Sequence, residues 1–101
     1  GLMMLGDKVS SADALQMGLI WKTVNDQQLQ DEALTLAKQL AAMPTQALAL
    51  IKNQLNQSAT NTLAQQLELE DQLQQQAAAT EDFKEGVAAF LEKRKPVFKG
   101  Q

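Results

Sequence analysis

Apolar residues in this chain recur at the spacing of a helix far more often than at the alternation of a strand. Leu29, Ala33, Leu36, Ala37 and Leu40 draw one stripe that stops before Pro44, which predicts a helix opened by Asn25 or Asp26. Pro44 and Thr45 restart the chain, and a helix over 45–56 follows in which residues 47–51 are all apolar. That run predicts enclosure by other helices or by a second chain, with Lys52 reaching outward. Thr60, Asn61 and Thr62 break and recap before a helix over 62–77, where Leu63, Leu67, Leu69 and Leu73 argue against a low-complexity tract. Gln65, Gln66, Gln72, Gln74, Gln75 and Gln76 then form its exposed face. In the last helix, entered after Thr80, Phe83, Val87, Phe90 and Leu91 fall at i, i+4, i+7 and i+8.

The first quarter of the chain reads differently. Residues 1–5 look like a helix end closed by a left-handed Gly6, and Ser10 with Asp13 opens a short helix over 11–17 that Gly18 stops. Residues 19–24, from Leu19 to Val24, have the composition of a strand, yet no second strand is predicted to pair with them. The chain starts with Gly rather than Met. These features together predict a segment of a larger αβ protein: a connector over 1–24 and a helical domain over 25–101, all-α apart from the one strand-like stretch.

Composition narrows the function. The 101 residues are 45% apolar and 21% charged, as in globular proteins, with a formal net charge of −3. No broad basic field exists to attract nucleic acid or an anionic membrane, and no apolar run nears the roughly 20 residues needed to cross a bilayer. Without cysteine there is no disulfide or thiolate chemistry, which suits a cytoplasmic setting. Histidine is absent too, so no catalytic residue and no metal ligand set is assigned. Glu68, Glu70 and Asp71 on one helix read as solvated surface, except that Glu70 falls between Leu67 and Leu73 and is expected to pair with a lysine or arginine.

One local reversal of sign stands out. Lys93, Arg94, Lys95 and Lys99 lie within seven positions that contain no acid. Cations there can face the negative end of the last helix, or they can bind phosphate, Lys as a point charge and Arg as a fork. The residues alone lean to the first reading.

The stretch Glu81-Asp82, Glu85-Gly86, Ala89-Phe90, Glu92-Lys93-Arg94 and Pro96-Val97-Phe98-Lys99-Gly100 resembles the C-terminus of the enoyl-CoA hydratase/isomerase (crotonase) superfamily. Leu5-Gly6-Asp7-Lys8-Val9-Ser10, Ala12, Ala14 and Gly18-Leu19-Ile20 resemble the segment that links that family's catalytic core to its helical end. Between them, Ile20-Trp21, Pro44-Thr45, Leu50-Ile51-Lys52, Thr60-Asn61-Thr62-Leu63 and Gln66-Leu67-Glu68-Leu69-Glu70 are most similar to the branch that isomerises epoxyphenylacetyl-CoA in phenylacetate catabolism. Gln74 and Gln75 stand where hydratases tend to place aromatics, which favours an isomerase.

The resemblance implies a parent enzyme acting on a CoA thioester, with no cofactor beyond the coenzyme A of its substrate. It implies assembly as a trimer or dimer of trimers, and catalytic acids outside these residues. It also assigns a binding site: Lys93, with Arg94 beside it, on the CoA phosphates or adenine end, and Phe90 near the acyl-pantetheine end, often of a neighbouring subunit. The rival reading is a free-standing all-α interaction module that docks through the helix over 45–56.

Overall fold

In the computed structural model, which describes residues 1–101, the chain forms six α-helices and one 3₁₀ turn, with no strand. It divides into two units, Gly1–Thr35 and Leu36–Gln101. No helix is long and apolar enough to cross a membrane.

In the first unit, α1 (Leu2–Leu5) is a single turn whose end is set by Gly6, at a φ of 70° that returns its N–H to the Leu2 carbonyl. The Ser10 hydroxyl accepts the Asp13 N–H at 3.1 Å and opens α2 (Ser11–Gln16). The strand-like stretch over 19–24 does not become a strand. Gly18 turns left-handed at φ 73°, and the Leu19 N–H closes back on the Ala14 carbonyl at 2.9 Å. Leu19 is thereby drawn into the end of α2, and no second extended segment offers a ladder to the residues after it. Asn25 precedes the 3₁₀ turn Asp26–Gln28 without capping its backbone, its side-chain amide donating instead to Gln28 Oε1 at 3.5 Å, and this turn leads into α3 (Leu29–Ala41). Lys22 pairs with Glu32 at 2.6 Å.

In the second unit Pro44 precedes α4 (Thr45–Ser58), which packs on α5 (Leu63–Ala78); α5 packs in turn on α6 (Glu81–Leu91). A capping box starts α5: Thr62 accepts the Gln65 N–H, and the Gln65 side chain accepts the Thr62 N–H at 2.9 Å. Gln66 departs from the expected exposed face. It is half-buried, donates to the Gln54 carbonyl at 3.3 Å and accepts from Asn61 at 3.0 Å, tying α5 to α4. Glu70 is also half-buried, but it forms no ion pair, contrary to its expected pairing.

Very little of this chain is enclosed. Leu73 and Ala89 are the only fully buried apolar residues, and Ala49 and Ile51 within the all-apolar run of α4 remain exposed. Its accessible surface is 8585 Å², whereas a folded monomer of this mass exposes roughly 5,600 Å². The exposed large apolar residues, Ile51, Leu55, Phe83, Phe90 and Leu91 among them, are a drive to cover these faces with other protein. We predict that the isolated chain self-associates, and sedimentation at tens of micromolar tests this. A single monomeric species would contradict it.

Candidate functional site

The chemistry-bearing residues gather around α6, and the helix start explains how. The Thr80 hydroxyl accepts the Phe83 N–H at 3.1 Å and donates to the Ala77 carbonyl at 2.7 Å, fixing the entry from α5. Asp82, in the first turn, is only 3% exposed. Its two carboxylate oxygens accept the N–H groups of Lys99 and Gly100, each at 2.7 Å, and its own N–H donates to the Gln101 carbonyl at 2.9 Å. The buried charge is thus balanced by backbone dipoles and the helix N-terminus rather than by a cation.

One turn later Glu85 makes a second hold on the same tail. Arg94 grips it with both terminal nitrogens, at 2.6 and 2.9 Å, and the Val97 N–H adds a bond at 2.8 Å. The Arg94 guanidinium, and after it the Val97 amide, pull the Glu85 carboxyl from its ordinary 4.5 down to about 2. Arg94 further donates through Nε to Glu92 at 2.6 Å.

The helix closes on Lys93. The Lys93 N–H returns to the Phe90 carbonyl and the Arg94 N–H to the Ala89 carbonyl at 3.0 Å, a closing turn that requires Lys93 to be left-handed, at φ 55°. It is the only residue other than glycine with positive φ. Helical geometry therefore does not set Lys93 beside Phe90, because α6 ends at Leu91. Phe90 itself is 82% exposed and lines an open apolar groove of about 380 Å³ with Ala47, Ala77, Phe83, Val87 and Phe98, a groove that Lys93 does not line.

The sequence-predicted site therefore separates into parts. Phe90 faces a groove, Lys93 stands free of any ion pair at the helix end, and the fork of Arg94 is already filled by Glu85 and Glu92. The basic cluster is not an acid-free patch in space, since those two carboxylates fold against it. Asp82 and Glu85 were visible in the sequence only as motif letters. The signal that could have found them is two acids one turn apart on a helix, followed by a Pro-broken tail able to turn back on them.

A profile of the family "Enoyl-CoA hydratase/isomerase" matches residues 1–101. The 1,2-epoxyphenylacetyl-CoA isomerase of Escherichia coli (strain K12) is 46% identical over 101 residues, 100% of this chain and 38% of that protein. A mitochondrial enoyl-CoA hydratase of Pongo abelii is 38% identical over 99% of this chain and 34% of its own length. The crystal structure of an enoyl-CoA hydratase from Polaromonas sp. JS666 superposes with a TM-score of 0.87 at 36% identity, covering 95% of this chain and 37% of that one. The chain thus spans little more than a third of the length of these relatives.

The Glu85 geometry generates a pH prediction. Because the folded carboxyl lies below its ordinary 4.5, its contribution to holding the tail is present above that value and is lost as pH falls toward 2. Carbon-detected NMR titration of the Glu85 carboxyl should give a midpoint near 2, and Glu85→Gln should loosen the tail at neutral pH. A midpoint near 4.5 would show that the Arg94 and Val97 bonds do not persist in solution.

Proposed function

The chain belongs to the enoyl-CoA hydratase/isomerase family, and from that premise we propose that it is the C-terminal part of a cytoplasmic enzyme acting on a CoA thioester. Its likeness to the Escherichia coli isomerase supports a ring-epoxide isomerase of phenylacetate breakdown. In this reading the segment supplies CoA contacts, a lid over the acyl pocket and contacts between subunits of a trimer or dimer of trimers. The large uncovered apolar surface supports those subunit contacts. The family's chemistry stabilises a thioester enolate with two backbone N–H donors while acidic side chains move protons. None of those groups is assigned to these residues.

The observation that carries the CoA contact is the conformation of Lys93. A left-handed closing position favours glycine, and an L-residue with a side chain costs about 1 kcal/mol there. Lys93 nonetheless holds φ 55° and spends its side chain on no ion pair within the chain. The left-handed turn serves the end of α6 by returning the Arg94 N–H to the Ala89 carbonyl, whereas the ammonium it carries has no partner in the chain and is open to an external anion. We assign it to a CoA phosphate. Arg94 supports the site indirectly, by holding the turn in which Lys93 sits, and Phe90 faces the acyl-pantetheine end.

Two expected outcomes follow. The 101 residues alone turn over no enoyl-CoA or epoxy-acyl-CoA; measurable activity of the purified segment would defeat the assignment of the catalytic groups elsewhere. In the full-length enzyme, Lys93→Gly relieves the left-handed strain and raises Tm, yet it raises KM for acyl-CoA roughly tenfold with kcat nearly intact, since one charge-assisted bond common to substrate and transition state is lost. Lys93→Glu raises KM further, and Lys95→Glu much less. Unchanged KM in Lys93→Gly would reduce Lys93 to a closing residue of α6.

A further inference from the structure

The geometry points to Asp82 as a positioning residue: by seating tail residues 95–101 it fixes Phe98 as a wall of the groove that Phe90 lines. This rests on the functional reading above, in which that groove receives the acyl end of a CoA thioester.

The argument starts from register. Asp82 and Glu85, three residues apart, lie on one side of α6 about 4.5 Å apart along its axis. Val97 and Lys99, two residues apart in a chain segment that is not helical, present their N–H groups to these two carboxylates, at 2.8 and 2.7 Å. Phe98 is therefore pinned on both sides. Its ring lies over Gly86, 3.7 Å from where a Cβ would stand, in the gap that the missing side chain leaves on α6.

The two holds differ in strength. Glu85 and Arg94 are partly solvated, 25% and 39% exposed, so water competes for them. Asp82 is buried, has every oxygen engaged by the tail, and has no alternative partner. The tail is also anchored from the far side, where Gln46 donates to the Gly100 carbonyl at 3.1 Å. At Gly100 the φ of 74° and a Thr45 hydroxyl only 2.5 Å from a Cβ position admit no larger residue without displacement. Asp82 on α6 and Thr45 on α4 thus form two sides of one seat. With the tail unseated, Phe98 no longer walls the groove.

The test uses the full-length enzyme with two variants that attack the seat from opposite sides, Asp82→Asn and Gly100→Ala, so that a folding failure of one leaves the other to decide. Peptide-resolved hydrogen exchange should quicken at least about tenfold over 95–101, as expected for losing a charge-assisted bond, while α6 keeps its protection. Both variants should also lose, by roughly tenfold, the preference in kcat/KM for a bulky aryl-acyl-CoA over a short straight-chain enoyl-CoA, which a general loss of stability would lower in parallel for both. Phe98→Ala should reproduce the lost preference without the quickened exchange. Slow exchange over 95–101 in both variants would overturn the seat. Quickened exchange with the preference intact would overturn the wall. If the wild-type enzyme turns over no CoA thioester, the functional reading falls, and the exchange data alone decide whether Asp82 seats the tail.

Discussion

A buried carboxylate without a cation is the constraint on which the rest of α6 and its tail depends. Left unpaired, the Asp82 charge would carry a desolvation penalty of several kcal/mol. Its pairing to the Lys99 and Gly100 amides, at about 1.5–3 kcal/mol for each bond to a charged group, fixes where the tail must run. The Glu85–Arg94 pair is shorter in places and more conspicuous, but it is partly exposed, so water screens it and competes for it. It trims the tail's course, whereas Asp82 sets it. From that course come the position of Phe98 over Gly86 and the shape of the groove between α4, α5 and α6.

Several other features run against stability within the chain. Phe90 and Leu91 are exposed, Lys93 is left-handed where glycine would be easier, and hardly any apolar residue is fully buried. Each is a loss for an isolated domain, and each has a use if α6 ends at a site completed by further protein and a bound anion. Under the proposed reading, in which the segment meets a CoA thioester and neighbouring subunits, the three share one reason.

The sequence disclosed these levels unequally. Helix spans follow from local rules, and those rules held: the stripes of α3 and α6, the caps Ser10 and Thr62, and the left-handed Gly6 all stand where periodicity and cap chemistry put them. The α6 face that carries Phe90 was equally legible. Residues 19–24 misled because β-rich composition states a preference that only a partner strand can satisfy, and the Gly18 turn took Leu19 instead. Arg94 misled because its partner Glu85 stands nine positions earlier, across a chain reversal. Asp82 was silent for the same reason, its partners lying 17 and 18 positions later. The left-handed Lys93 could not be read at all, since nothing in its residue type announces positive φ.

The most direct measurement is a crystal structure of the full-length enzyme with a non-hydrolysable acyl-CoA bound. The account predicts the Lys93 ammonium about 3 Å from a CoA phosphate oxygen, with Arg94 still held by Glu85 and the Phe90 ring against the acyl-pantetheine end. A ligand whose phosphates lie on Arg94, with Lys93 in solvent, would contradict it.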